Sequence, residues 1–85
     1  MPTMNITVNL IGRYKDIVGK PMVELEITTG DTIWHVVDAF IQKYPALEKD
    51  KKFMIISKNG VFTTVDVKVK KGDKITVAPP VVSGG

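Results

Sequence analysis

The 85-residue chain holds one histidine, His35, two serines, Ser57 and Ser83, and no cysteine. Without cysteine there are no disulfides, no thiolate metal sites and no thiol nucleophile. A single histidine cannot form a histidine cluster for a metal; His35, beside Trp34 and four residues after Asp31, reads as a helix-surface side chain. Ser57 falls in or beside a predicted strand with no base at a usable spacing, and Ser83 falls near the end, so a serine-type triad has no support. The Gly19–Lys20–Pro21 stretch lacks the rest of a phosphate loop. The nine acids are scattered and read as solvated.

What remains is the stretch APPVVSGG, residues 78–85. The α-carboxylate of Gly85 is ionised at neutral pH, with an ordinary pKa of about 3.3–3.7. It is a weak electrophile, but ATP can convert such a group to an acyl adenylate that a sulfur or amine nucleophile attacks. Gly84 and Gly85 carry no side chains and accept unusual backbone angles, which suits passage through a narrow channel. Pro79 and Pro80 lack backbone donors and favour an extended departure from a sheet. From Pro79 through Val81, Val82 and Ser83 to Gly85 the segment spans at most roughly 23 Å, at about 3.3 Å per residue. On the residues alone, a frayed end and a working end are equally good readings.

The elements that must hold this segment are legible by periodicity. Met4, Ile6, Val8 and Leu10 alternate with polar residues, which predicts a half-buried strand, and Ile11 then falls on the polar side. The stretch GRYKDIVGK reads as a turn and connection, and Val23, Leu25 and Ile27 mark a second strand that forms a hairpin with the first. Ile33, Val36, Val37, Phe40, Ile41 and Tyr44 share one face of a helix, capped by Asp31 or Thr32 and ended by Pro45. FMIIS predicts a buried strand and Asn59–Gly60 a hairpin turn. Val65, Val67 and Val69 continue an alternating strand, and KITVA makes a last one that the prolines end. A hairpin, a helix and further strands predict an α+β domain, a mixed sheet of four to five strands with one main helix on one face. The first and last strands are candidates for the centre of that sheet.

The formal charge of +3 is mild, and its lysines are interspersed with acids and not interleaved with aromatic residues, which argues against nucleic acid as a partner. No signal peptide or long apolar span is present, so a cytoplasmic protein with no membrane partner is expected.

RYKDIVGK, the Asn-Gly turn and above all KKGDKITVAPPVVSGG, in this order and spacing, resemble the ubiquitin-like sulfur carrier family, of the MoaD type represented by the small subunit of molybdopterin synthase. The resemblance implies a ubiquitin-like β-grasp fold, with a domain over residues 1–78 and an extended flexible tail over 79–85. It implies that a ubiquitin-activating-like adenylating enzyme uses ATP to activate Gly85, and that a sulfur donor converts it to a thiocarboxylate. The tail then delivers sulfur inside the large synthase subunit to a cyclic pyranopterin precursor of the molybdenum or tungsten cofactor. The chain itself is then a non-catalytic subunit that binds no cofactor. An apolar docking patch beside the tail maps to Ile11, Phe62 and Ala78, with burial of Phe62 in the core as the plainer alternative. Ala78 is small where the family often places an aromatic residue, and the tail is one residue longer than the commoner pattern. Related readings are sulfur carriage for thiazole synthesis or tRNA thiolation, and a modifier joined to lysines through Gly85. An inert β-grasp binding module is the remaining one.

Overall fold

The computed structural model describes residues 2–80. Strand β1 (Thr3–Leu10) is followed by a short helix α1 (Arg13–Val18), strand β2 (Met22–Thr28) and the main helix α2 (Ile33–Lys43). A 3₁₀ segment (Pro45–Asp50) leads to β3 (Ile55–Lys58), β4 (Val61–Phe62) and β5 (Lys74–Ala78). The sheet order is β2-β1-β5-β3-β4. β1 and β5 run parallel at its centre, and every other pairing is antiparallel. This mixed sheet folded over one main helix is the β-grasp arrangement that the resemblance implies, with the first and last strands side by side.

The alternation in β1, β2 and β5 places Ile6, Val8, Leu25, Ile27, Ile75 and Val77 on the face that α2 covers. The helix answers with Ile33, Val36, Val37, Phe40 and Ile41, all buried. The Phe40 ring meets Tyr14 edge-on at 6.5 Å and Tyr44 at 5.5 Å. Each such fully buried side chain contributes about 1.5–3 kcal/mol by leaving water, so this one layer holds the fold. Thr32 is the N-cap of α2, and its N–H donates to Nδ1 of His35 at 3.0 Å, so His35 closes a capping box at the helix start.

Three segments depart from the sequence-based expectation. GRYKDIVGK is not a bare connection: it holds α1, six residues long and too short to stand on helix propensity alone. α1 is fixed by buried Tyr14, whose hydroxyl donates to Oδ2 of Asp50 at 2.9 Å, and by an ion pair of Arg13 with the same carboxylate. β1 and β2 pair antiparallel as expected, with α1 in the connection between them. Arg13 and Tyr14 hold Asp50 well below the usual carboxylate range, and burial pushes the Tyr14 hydroxyl up.

The second departure is the Val65–Val69 stretch, which forms no strand of the sheet. Its backbone is used by α2 instead. The carbonyls of Val65 and Val67 accept from the N–H groups of Trp34 and Ile33 at 2.9 Å, and Val69 N–H donates to the Asp31 carbonyl at 2.9 Å. The first N–H groups of any helix lack intrahelical partners, and this segment supplies them. FMIIS is also shorter as a strand than its composition implies: β3 starts at Ile55, and Phe53 is 63% exposed.

Candidate functional site

The strand registers define the face of the sheet opposite α2. Met22 lies across from Asn9, Asn9 beside Thr76, Thr76 across from Ser57 and Ser57 across from Phe62. This row crosses all five strands. The next row, toward the end of β5, contains Ala78 across from Ile55. Ile11 joins it from just past β1, where its N–H donates to the Val77 carbonyl at 3.3 Å. No charged side chain stands in either row. One row the other way, Thr7 is flanked by Glu24 and Lys74. The outer face therefore grades from apolar at the end of β5 to charged at its beginning.

Phe62 is 81% exposed, Ile11 51% and Met22 52%, while Ile55 and Ala78 are half-buried. The plainer alternative for Phe62, a place in the core, is excluded by that value. Ile11, Phe62 and Ala78 share one face, as anticipated, but Phe62 stands two strands from Ala78, about 10 Å away across the sheet. Ile55 fills the gap between them. Ile55 and Met22 are the members that the sequence reading did not assign. FMIIS has no alternation to give Ile55 a face, whereas Met22 occupies the same polar phase as Glu24 and Glu26, as Ile11 does in its own strand. Exposed apolar clusters of this kind mark interaction surfaces.

Ala78 ends β5, and Pro79 and Pro80 follow it half-buried beside this row. Gly12 controls the departure. Its φ of +65° is one that L side chains rarely adopt, and a Cβ there would lie 3.3 Å from Cγ of Pro79. The bare glycine lets α1 start while Pro79 sits against the turn. The remaining anticipated site residues, Val81, Val82, Ser83, Gly84 and Gly85, lie outside the described residues, as does most of the expected 79–85 tail.

At the other end of β5 the backbone is pinned by side chains. Asn59 accepts from the Lys74 N–H at 2.9 Å and donates to Asp73 at 3.0 Å, and Asp73 accepts from the Lys70 N–H at 2.7 Å. These bonds hold the Asp73 carboxyl below its usual range. Asp50 and Asp73 are thus structural groups, where the sequence reading left both solvated. Among the described residues, no three His, Asp or Glu side chains converge as metal ligands would, and no helix is long and apolar enough to cross a membrane.

The chain belongs to the ThiS family, which it matches over residues 8–85. It is 29% identical over 83 residues to the molybdopterin synthase sulfur carrier subunit of Arabidopsis thaliana, covering 98% of this chain and 85% of the relative. Its structure resembles that of small archaeal modifier protein 1 from Methanosarcina acetivorans, with a TM-score of 0.80, 25% identity and 100% of both chains covered. It also resembles a chain in the complex of subunits 1 and 2 of the molybdopterin-converting factor from Helicobacter pylori 26695. There the TM-score is 0.62 and the identity 23%, with 95% of this chain and 100% of the other covered, a likeness of fold alone.

Proposed function

We propose that this protein is the sulfur carrier subunit of a molybdopterin synthase, with Gly85 as the reactive end. The observation that carries the reading is the family match through Gly85, joined to a relative of that name aligned over nearly the whole chain. The exposed apolar row beside the tail's departure supports it. A carrier needs a surface on which partners dock and an end that reaches into them, and no catalytic cluster of its own.

In the proposed cycle an adenylating enzyme lets the Gly85 carboxylate attack the α-phosphorus of ATP, releasing pyrophosphate. A donor supplies sulfur at the oxidation level of sulfide, which adds to the acyl carbon as AMP leaves, giving a thiocarboxylate. Within a large synthase subunit that sulfur bonds to an electrophilic carbon of a cyclic pyranopterin precursor as a carbon–oxygen bond of that carbon breaks, the oxygen taking the electron pair and then a proton. Water then cleaves the acyl–sulfur bond, which returns the carboxylate and leaves a thiol on the pterin. Ile11, Ile55, Phe62 and Ala78 dock the partner, and the segment 79–85 enters its active site. The two glycines, lacking side chains, are the part that fits the narrowest passage. Reconstitution with an adenylating enzyme, ATP and a sulfide source tests this: the intact mass of the chain gains the difference between sulfur and oxygen, mapped to Gly85.

The likeness to an archaeal modifier over the full length of both chains favours a second reading, in which the activated Gly85 is attacked by lysine amines of target proteins. Lysine-linked adducts in extracts of the native cells, absent when Gly85 is deleted, distinguish it from a carrier used for sulfur alone.

A further inference from the structure

The net charge of the chain resides in one part of the fold. Between Ile55 and Ala78 there are five lysines and two aspartates, and the seven cations and seven acids of the remaining chain cancel. The two aspartates are already engaged by the protein's own donors. Asp73 holds the Lys70 N–H and the Asn59 side chain, and Asp66 accepts from the Thr64 hydroxyl. The lysines are not matched in this way: Lys68, Lys70, Lys71 and Lys74 are exposed and take part in no ion pair among the described residues.

Three of these lysines border a groove of about 460 Å³ at the end of the molecule away from Ala78. Lys68, Lys70 and Lys71 line it together with Thr29, Gly30 and the buried Met4 and Val69. Glu26 is the carboxylate of the adjoining hollow, where the Thr3 hydroxyl donates to it at 3.4 Å. The groove cannot slide or flatten easily. Val69 is bonded to the Asp31 carbonyl, and Lys68 bridges Thr32 at the start of α2. Lys74 and Ala78, the two ends of β5, are about 13 Å apart at roughly 3.3 Å per residue. A ligand in the groove therefore leaves the apolar row uncovered.

We propose that this groove is a second docking surface, which takes an acidic polypeptide segment with an apolar residue between its carboxylates. Three lysines bordering the groove match the carboxylates of Asp or Glu side chains, and the apolar Met4 and Val69 among its lining residues offer contact to the residue between them. No aromatic ring lines the groove, so bases of a single-stranded nucleic acid would have nothing to stack on. The surface would bring a partner to the carrier by charge, raising the encounter rate, while Gly85 works elsewhere.

The test uses the isotope-labelled full-length protein and three probes of equal charge: a Glu-rich hexapeptide with one central leucine, the same peptide with glycine there, and an oligothymidylate. Amide shifts on adding the leucine peptide are expected at Met4, Gly30 and Lys68–Lys71, with affinity falling steeply as salt is raised. The glycine peptide should bind more weakly, the oligothymidylate more weakly still. Lys68→Gln/Lys70→Gln/Lys71→Gln should lower affinity about tenfold or more, whereas Lys49→Gln/Lys52→Gln should leave it unchanged. Shifts centred on Trp34 and Phe53, or no saturable shifts, overturn the proposal. Tighter binding of the oligothymidylate overturns it in favour of nucleic acid. The wild-type shift map decides the matter even if the triple variant fails to fold.

Discussion

Ile75 and Val77 are fully buried beneath α2, while Thr76 and Ala78, neighbours on the same strand, face outward into a surface ending in bare Phe62. One strand thus serves two purposes, separated by the two-residue period of its side chains. The inner face meets a helix of matching apolar width and is closed. The outer face carries as large an aromatic residue with nothing over it. An apolar side chain stabilises this chain only where the chain itself covers it, and the outer residues gain nothing of that kind.

That contrast is sharpest in a matched pair of substitutions. Phe40→Ala, on the inner side, should cost about 3–5 kcal/mol of folding free energy. For a small domain this is a large share of the total, and urea unfolding will read it directly. Phe62→Ala, on the outer side, should change stability by no more than about 0.5 kcal/mol. A cost at Phe62 comparable to that at Phe40 would mean that the two faces are not different in kind.

A smaller effect is expected where α1 is tied down. Tyr14→Phe keeps the buried ring and removes the hydrogen bond to Asp50, which should cost about 1 kcal/mol. Amides of Arg13–Val18 should lose exchange protection before those of β1. Acid addresses the same ties. Asp50 and Asp73 have folded pKa values below their unfolded ones, so their contribution is complete above the unfolded value of about 3.9 and lost as pH falls through the lower folded values. The melting temperature of the wild type should therefore drop below about pH 4, and Asp50→Asn should flatten that drop. A steeper fall in the variant would contradict the assignment. Phe62→Asp should likewise change stability by no more than about 0.5 kcal/mol, although it should weaken docking of a synthase large subunit. Calorimetry of binding beside thermal unfolding separates the two.

How far these features could be read beforehand follows from their range along the chain. α2 was legible because its apolar stripe is long and regular, and β1 and β2 because they alternate without a break. α1 was not: its anchor, Asp50, lies 36 residues from Tyr14, and the six residues between two glycines hold too little pattern. Val65, Val67 and Val69 were misread for a different reason. They alternate as a strand does, but their backbone bonds go to the start of a helix, and periodicity does not say which partner a backbone finds. At the site, Ile11 was legible as an apolar residue in a polar phase. Ile55 was not, because its run is apolar on both sides.

The central claim concerns the end of the chain, and intact mass spectrometry tests it most directly. The protein should be isolated from its native cells and, in parallel, after incubation with an adenylating enzyme, ATP and a sulfide source. The account predicts a species in which sulfur has replaced one oxygen, with fragments assigning it to Gly85, and its loss when Gly85 is deleted although the variant folds normally. An unchanged mass under both conditions, with no gain of sulfur in the wild type, would contradict it.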